Sequence, residues 1–368
     1  MDKRKRIAIY TIQDNNYGNR LQNFAVQMIL NNLGYDPVSL KANAKSINNL
    51  STDHYLHVHG HRIYCKNIET KRKLDRLKIE LKRFLKKELV PDFSSFNDQI
   101  QYGNDYLGPE GYRLADDYFA IVAGSDQIWN TSFNTTSINS FLPFQHPNKI
   151  SFSASFGIDS IPYNQKIADC LNDFKKLSVR EEAGAKIIKD LTGREAEVLV
   201  DPTLLLNPEQ WRKIAKKPEK MPDTKESYIL TYFLSPKCEE AIKQLEEIQD
   251  NRCVYELLNP KDAVAGSAGP SEFIWLFDHA DLILTDSFHA CVFSFLFNKP
   301  FLVYDRNWTE CSMNSRLDTL LKKFHLERKY ASSGLGNNIW EHNYEEGYKQ
   351  LEKERLKAIT FLKNALEE

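Results

Sequence analysis

Short runs of β-branched and aromatic residues alternate along this chain with longer segments whose apolar side chains recur every three or four positions. That is the pattern of strands feeding helices. Ile7-Ala8-Ile9-Tyr10-Thr11-Ile12 reads as a strand, and Leu21, Phe24, Ala25, Met28, Ile29 and Leu33 share one face of a helix over 20–33, ended by Gly34. A second strand at Pro37–Leu40 completes a β-α-β unit. Strands follow at Tyr118–Ala123, Ile150–Phe156, Leu177–Val179 and Glu197–Val200, with a helix from about Glu181 to Leu191; Asp201-Pro202 stops the last strand. Beyond a polar, lysine-rich stretch from Lys213 to Lys225, the alternation restarts. Strands are predicted at Tyr228–Leu234, Cys253–Leu257, Asp281–Thr285 and Phe301–Tyr304, with helices over 237–249, 271–279 and 288–297. Such alternation specifies parallel sheets covered on both faces, so the expected class is α/β, two domains facing a cleft. The expected division is an N-terminal domain 1–212 with a helical insert at about 45–110, a linker 213–227, a C-terminal domain 228–340 and a terminal helix 341–368. In that helix Tyr348, Leu351, Ile359, Leu362 and Leu366 form one stripe, expected to pack across the surface.

Composition agrees with two cores: 368 residues, 42% hydrophobic and 12% aromatic, is enough apolar material for both and argues against disorder. The balance of 49 Lys+Arg against 50 Asp+Glu counts against a nucleic-acid partner, which ordinarily meets a basic excess. The basic start, Met1 to Arg6, is followed by too short an apolar run for a signal peptide, and no run approaches the ~18 apolar residues of a spanning helix. Six scattered cysteines without a C-x-x-C pair read as reduced thiols of a cytoplasmic protein. Locally the charge is uneven. Residues 66–88 carry ten Lys/Arg against four acids, with Leu74, Leu77, Leu81, Phe84 and Leu85 on one helical face. This basic amphipathic helix either covers the fold with solvated lysines or leans on an anionic membrane surface, bringing a lipid-linked substrate within reach. His54, His57, His59 and His61 superficially suggest a metal, but no carboxylate or cysteine cluster accompanies them and a polar loop is the expected reading.

In parallel α/β sheets, ligands sit beyond the carboxyl ends of strands, where helix N-termini favour anions. Three turns qualify. In Thr285-Asp286-Ser287-Phe288-His289 a hydrophobic strand runs into a helix start with a histidine in its first turn, where the helix dipole opposes the charged imidazole. Helix capping accounts for Asp286 or Ser287 but leaves His289 as a candidate proton donor or anion contact. Gly124-Ser125-Asp126-Gln127 offers close backbone approach, a hydroxyl and a carboxylate. Gln13-Asp14-Asn15-Asn16-Tyr17-Gly18-Asn19 is rich in amides suited to sugar hydroxyls, and is equally readable as a solvated loop capped by Asn19. It is not a G-x-G-x-x-G fingerprint, so a dinucleotide site has no support. Arg180 and Arg316 follow strands and are positioned to grip a phosphate or carboxylate, although surface ion pairing is the common fate of an arginine.

Taken together these segments resemble the polysaccharide pyruvyl transferase family. The resemblance rests on Asn16-Tyr17-Gly18-Asn19-Arg20-Leu21-Gln22 with Gly34-Tyr35, then Gly124-Ser125-Asp126-Gln127-Ile128-Trp129 and Ser153-Ala154-Ser155-Phe156-Gly157. It continues through Ser178-Val179-Arg180-Glu181, Asp201-Pro202-Thr203, Gly269-Pro270, Thr285-Asp286-Ser287-Phe288-His289 and Asn314-Ser315-Arg316. Eight short motifs in order span about residues 7 to 325 and leave the insert and the terminal helix unmatched. The resemblance implies two Rossmann-like halves similar to GT-B glycosyltransferases. It implies transfer of a pyruvyl group from phosphoenolpyruvate to sugar hydroxyls of a polysaccharide or lipid-linked precursor, giving a cyclic ketal and free phosphate. Many members have arginine where this chain has Ser287, which puts more of the donor's charge on Arg180 and Arg316. The expected donor contacts are Arg180, Ser287, Phe288, His289 and Arg316; the expected acceptor contacts are Asn16, Gly18, Asn19, Gly124, Ser125, Asp126 and Gln127. His289 is expected as general acid or phosphate contact and Asp126 as base or orienting acceptor, with neither metal nor cofactor required. Two alternatives remain at this stage: a GT-B-type glycosyltransferase using a nucleotide sugar, and a non-catalytic saccharide-binding protein.

Overall fold

The computed structural model describes residues 4–40, 55–58, 61–64, 89–103, 112–133, 136–223, 227–306, 315–333, 339–340 and 342–367. The first half opens with β1 (Arg6–Tyr10), α1 (Tyr17–Asn32) and β2 (Asp36–Ser39). After a hairpin of β3 (Tyr55–Val58) and β4 (His61–Tyr64) come β5 (Ala120–Ala123) and β6 (Lys149–Ser151). The sheet order is β2-β1-β5-β6, every pair parallel. Next along the chain are α2 (Gln165–Asn172), β7 (Ser178–Val179), α3 (Glu182–Thr192), β8 (Glu197–Val198) and α4 (Pro208–Arg212). β7 and β8 pair in parallel and extend the sheet through single bridges, Ile150 to Lys176 and Ala154 to Val179.

The second half repeats the plan with β9 (Tyr228–Tyr232), α5 (Glu239–Gln249), β10 (Cys253–Glu256), α6 (Pro270–His279), β11 (Leu282–Thr285), α7 (Phe288–Leu296) and β12 (Phe301–Val303). Its order is β10-β9-β11-β12, again all parallel. α8 (Ser315–Lys323) and α9 (Glu345–Glu367) complete the chain. Two parallel α/β halves face a cleft, as the alternation of elements requires. Every residue of α7 is buried, as its largely apolar sequence FHACVFSFL requires; Ser294 satisfies its hydroxyl by donating to the Ala290 carbonyl, and His289 lies at the end that meets the cleft.

Several predicted strands run shorter than expected, Ile150–Phe156 most of all. Ile150–Phe156 was to be continuous, but the ladder ends at Ser151, because Ser153 takes a left-handed backbone with φ of 48° and the chain beyond it pairs only by single bridges. Of the predicted histidine group, His57 and His61 lie on the β3–β4 hairpin, while His54 and His59 fall outside the described residues, as does the basic segment 66–88. Burial pushes the Cys170 thiol up to about 11 and raises that of Cys291 further, consistent with inert thiols. Among the described residues no helix is long and apolar enough to cross a membrane.

Several contacts among the described residues join the halves. Trp211, fully buried, packs between Phe24 of α1 and Phe293 of α7, with ring centroids 5.7 and 5.0 Å away. Tyr17 stacks on Phe273 of α6 at 4.7 Å and its hydroxyl donates to the Ala268 carbonyl at 2.7 Å. The tail of the insert also reaches across: Leu89 N–H donates to Pro260 O (3.1 Å) and Asp92 N–H to Ser267 O (3.3 Å). α9 then runs back from the second half to the first. Tyr348 donates to Phe295 O, whereas Arg355 reaches the carbonyls of Leu204 and Leu206 and Lys357 that of Val198.

Candidate functional site

In both sheets the first strand of the half, β1 or β9, has neighbours on either side whose connections diverge, so each sheet has a switch point at its carboxyl edge. The two switch points face each other. Between them lies a cavity of about 350 Å³ lined from one side by Ile12, Asp14, Asn16, Asn19, Asp126, Gln127 and Phe133, and from the other by Leu234, Ser287, Phe288, His289, Arg306 and Arg316. Two helix N-termini open onto it. α1 is capped by Asn16, whose side chain accepts from Asn19 N–H at 3.4 Å; the expectation that Asn19 is the cap is corrected by one turn of chain. α7 begins at Ser287, whose side chain makes no capping bond. Asp286, the other expected cap, instead accepts from Leu234 N–H (2.7 Å) and from the N–H and hydroxyl of Ser235 (2.9 and 2.5 Å), tying the β9 turn to the β11 turn.

A buried polar chain sets the height of the post-β5 turn. Gln22 of α1 accepts from Ser125 N–H (3.0 Å) and donates to Thr11 Oγ1 (2.8 Å), and Thr11 donates to Ser125 O (2.9 Å). Gly124 is required here: at φ of 115°, an added Cβ would stand 2.6 Å from the Phe152 carbonyl oxygen. The turn therefore sits against the β6 backbone and holds Asp126 at the cavity floor.

Beneath the floor the charges are paired. The Arg180 guanidinium is 3% exposed; Nη2 donates to Ser125 Oγ at 2.6 Å and stands 2.6 Å from Asp201 Oδ2, while Nη1 lies 3.4 Å from Asp126 Oδ1. Arg316 Nη1 reaches the same Asp126 oxygen at 3.5 Å, and Asn19 Nδ2 donates to Asp126 Oδ2 at 2.5 Å. Phe288 is held between the two guanidinium groups, 5.1 and 5.5 Å from its ring centre. His289 Nε2 is 3.5 Å from Asp201 Oδ2 without forming a hydrogen bond. Burial pushes the Asp126 carboxyl up, but Arg180, His289 and Arg316 overcome it and hold it below the ordinary range. Asp201 is held far below that range for the same reason, burial opposed by Arg180, His289 and Thr203. Burial draws the Arg316 guanidinium down to about 10, against Asp126, so it stays charged at neutral pH. Glu181 behaves oppositely: burial raises its carboxyl, and one oxygen accepts from Ser155, Phe156 N–H and Gly157 N–H, fastening that segment behind the floor.

Eight expected residues line the cavity together: Asn16, Asn19, Asp126, Gln127, Ser287, Phe288, His289 and Arg316. Gly124 and Ser125 lie under the floor, and Arg180 lies below it as well rather than pointing into the cleft. Gly18 touches the site from outside, where an added Cβ would fall 2.1 Å from His289 Nδ1. Sequence reasoning left out Asp14, Phe133, Asp201 and Arg306 as site residues. Asp201 carried a signal, a carboxylate at a strand end that also serves as cap to Thr203 N–H at 2.8 Å.

A sequence model of the polysaccharide pyruvyl transferase family matches residues 16–307. No curated protein matches the chain. Among solved structures, a putative UDP-N-acetylglucosamine 2-epimerase from Listeria monocytogenes is similar over 99% of this chain and 97% of its own, at 9% identity and a TM-score of 0.49. A UDP-N-acetylglucosamine 2-epimerase from Rickettsia bellii is similar over 99% and 97%, at 10% identity and 0.46. MurG of Acinetobacter baumannii is similar over 99% of both chains, at 9% and 0.42.

Proposed function

Because the chain belongs to the polysaccharide pyruvyl transferase family, we propose that it moves a pyruvyl group from phosphoenolpyruvate to two hydroxyls of a sugar in a polysaccharide or lipid-linked glycan precursor, forming a ketal and releasing phosphate. The observation that carries this reading is the convergence of His289, two arginines and the start of α7 on one wall of a cavity whose other wall presents amides and a carboxylate. In the reaction a proton adds to the methylene carbon of the donor and the first hydroxyl oxygen adds to its neighbour. The second hydroxyl then displaces phosphate from that same carbon. The two hydroxyl protons balance the new methyl C–H and the protonated phosphate.

His289 is the proposed general acid. Asp201 faces its Nε2, offering a carboxylate to the protonated ring, and Gly18 leaves room for the ring beside α1. Ser287, Phe288 and Arg316 are the proposed donor contacts, with Arg180 holding them from below. Asn16, Asn19 and Gln127 are the proposed acceptor contacts, on a turn shaped by Gly124 and Ser125. Asp126 is ionised but a weak base, since Arg180, His289 and Arg316 lower its proton affinity; the role that suits it is to accept a hydrogen bond from the attacking hydroxyl and orient it.

Phosphate release from phosphoenolpyruvate, measured against a panel of sugar acceptors, tests the reading. Acceptor-dependent release is expected. Stabilisation by a nucleoside diphosphate, with no response to phosphoenolpyruvate, would instead favour glycosyl transfer; saccharide binding with neither donor would favour a binding protein. Gly18→Ala separates geometry from chemistry. In a helix alanine ordinarily gains stability, yet here its methyl must displace the His289 ring, so kcat should fall about 100-fold while the thermal midpoint changes little. Unchanged kcat in Gly18→Ala would remove His289 from the reacting centre.

A further inference from the structure

This inference rests on the reading above and asks which positive charge in the site is left for an anion. Arg180 and Arg316 are answered at once by Asp126 and Asp201, so this buried quartet carries two charges of each sign. Arg180 cannot turn to a phosphate without abandoning Asp201, which is 1% exposed, and Arg316, although it lines the cavity, is already shared with Asp126. Arg306, in the loop after β12, stands differently. Its Nε donates to the Asp286 carbonyl oxygen at 3.2 Å and lies 3.7 Å from the Asp286 carboxylate, which is already engaged by Leu234 and Ser235. That one bond orients the guanidinium, and among the described residues it is the hydrogen bond its side chain makes. Arg306 shares the cavity wall with Ser287 and His289.

The same corner has unfilled hydrogen-bonding capacity. Ser287 gives α7 no side-chain cap, which leaves the first amides of a nine-residue helix directed at the wall. His289, 6% exposed, shares this wall, its Nε2 facing Asp201 at 3.5 Å without a hydrogen bond. The geometry points to Arg306 and the uncapped start of α7 as the seat of the donor's phosphate, with Arg306 the residue that discriminates for a phosphorylated donor. Asp286 is the positioning residue that holds both the guanidinium and the β9 turn. Arg180 then serves to fix Asp126 and Phe288 from below, and Arg306 adds to Arg316 the charge that a phosphate requires.

Isothermal titration with phosphoenolpyruvate, and separately with inorganic phosphate, tests this on the intact chain as it stands and on R306Q and R306K. Charge-assisted hydrogen bonds of this kind carry about a 10- to 100-fold effect, so R306Q should weaken both anions by that factor and R306K should recover most of it. In turnover the donor KM should rise in R306Q while the acceptor KM stays within about twofold. Equal affinity in R306Q and the unsubstituted protein overturns the inference, as does an equal loss in R306Q and R306K, which would mark a structural role. The outcome separates from that of the parent reading. If inorganic phosphate binds through Arg306 but no acceptor ever yields phosphate from phosphoenolpyruvate, the anion seat stands and pyruvyl transfer falls. If transfer is observed with an R306Q donor KM within twofold of normal, transfer stands and the seat falls.

Discussion

His289→Ala is expected to lower the rate of phosphate release about 10²- to 10⁴-fold, the usual contribution of a positioned general acid, with little change in folding. The ring lies at the start of α7 and contributes little to the core: its neighbours are Gly18, Asp201 and the face of Phe288, 5.3 Å between ring centres. Alanine is an excellent helix residue, so α7 should keep its length. Far-ultraviolet circular dichroism and the urea midpoint check the fold, and single-turnover phosphate release checks the chemistry. Near-normal release by a folded His289→Ala protein would remove the proton donor from this scheme and leave the cavity as a binding site.

Asp201→Ala should instead lose much of its stability. The carboxylate is 1% exposed and stands 2.6 Å from a guanidinium that is itself 3% exposed, so deleting it strands Arg180 with Asp126 at 3.4 Å as its remaining carboxylate. Losing one partner of a buried pair ordinarily costs about 3–5 kcal/mol, and urea unfolding at neutral pH should show a loss of that order. The pH dependence has a definite sign. Asp201 titrates lower in the folded than in the unfolded chain, so its stabilisation is complete above the ordinary carboxylate range, near pH 3.9, and is lost as pH falls through its depressed folded value. The gap in stability between the two proteins should therefore be widest at neutral pH and narrow in acid. A loss below about 1 kcal/mol at neutral pH would mean that water or another side chain compensates Arg180.

How much of this was legible beforehand follows from what each signal depends on. Strand and helix periodicity is local, so both sheets, the buried α7 and the returning α9 could be read from spacing alone. Ser153 broke the predicted strand because a single left-handed residue leaves no trace in a hydrophobic pattern. The turns after β1, β5 and β11 were found because the carboxyl-edge rule needs only strand order. Charge pairing was not legible. Asp201-Pro202 read as a strand stop, and nothing local reveals that its carboxylate meets Arg180 and His289 from two other segments. Arg180 was expected in the cleft for the same reason: position after a strand predicts direction, whereas the carboxylates that draw it inward arrive only with the tertiary fold. Arg306 follows β12 closely, whereas Arg316 lies in the first turn of α8, and the orientation of Arg306 depends on the Asp286 carbonyl.

The last helix has a consequence for the order in which the protein is made. α9 is fastened to the second half through Tyr348 and to the first through Arg355 and Lys357, and it lies after both in the chain. During synthesis each sheet can assemble from residues already emerged, and α9 adds the last tie between the two walls, after Trp211, Tyr17 and the tail of the insert have made theirs. A nascent chain therefore carries both halves of the site, and most of the contacts between them, before it carries the helix that straps them together.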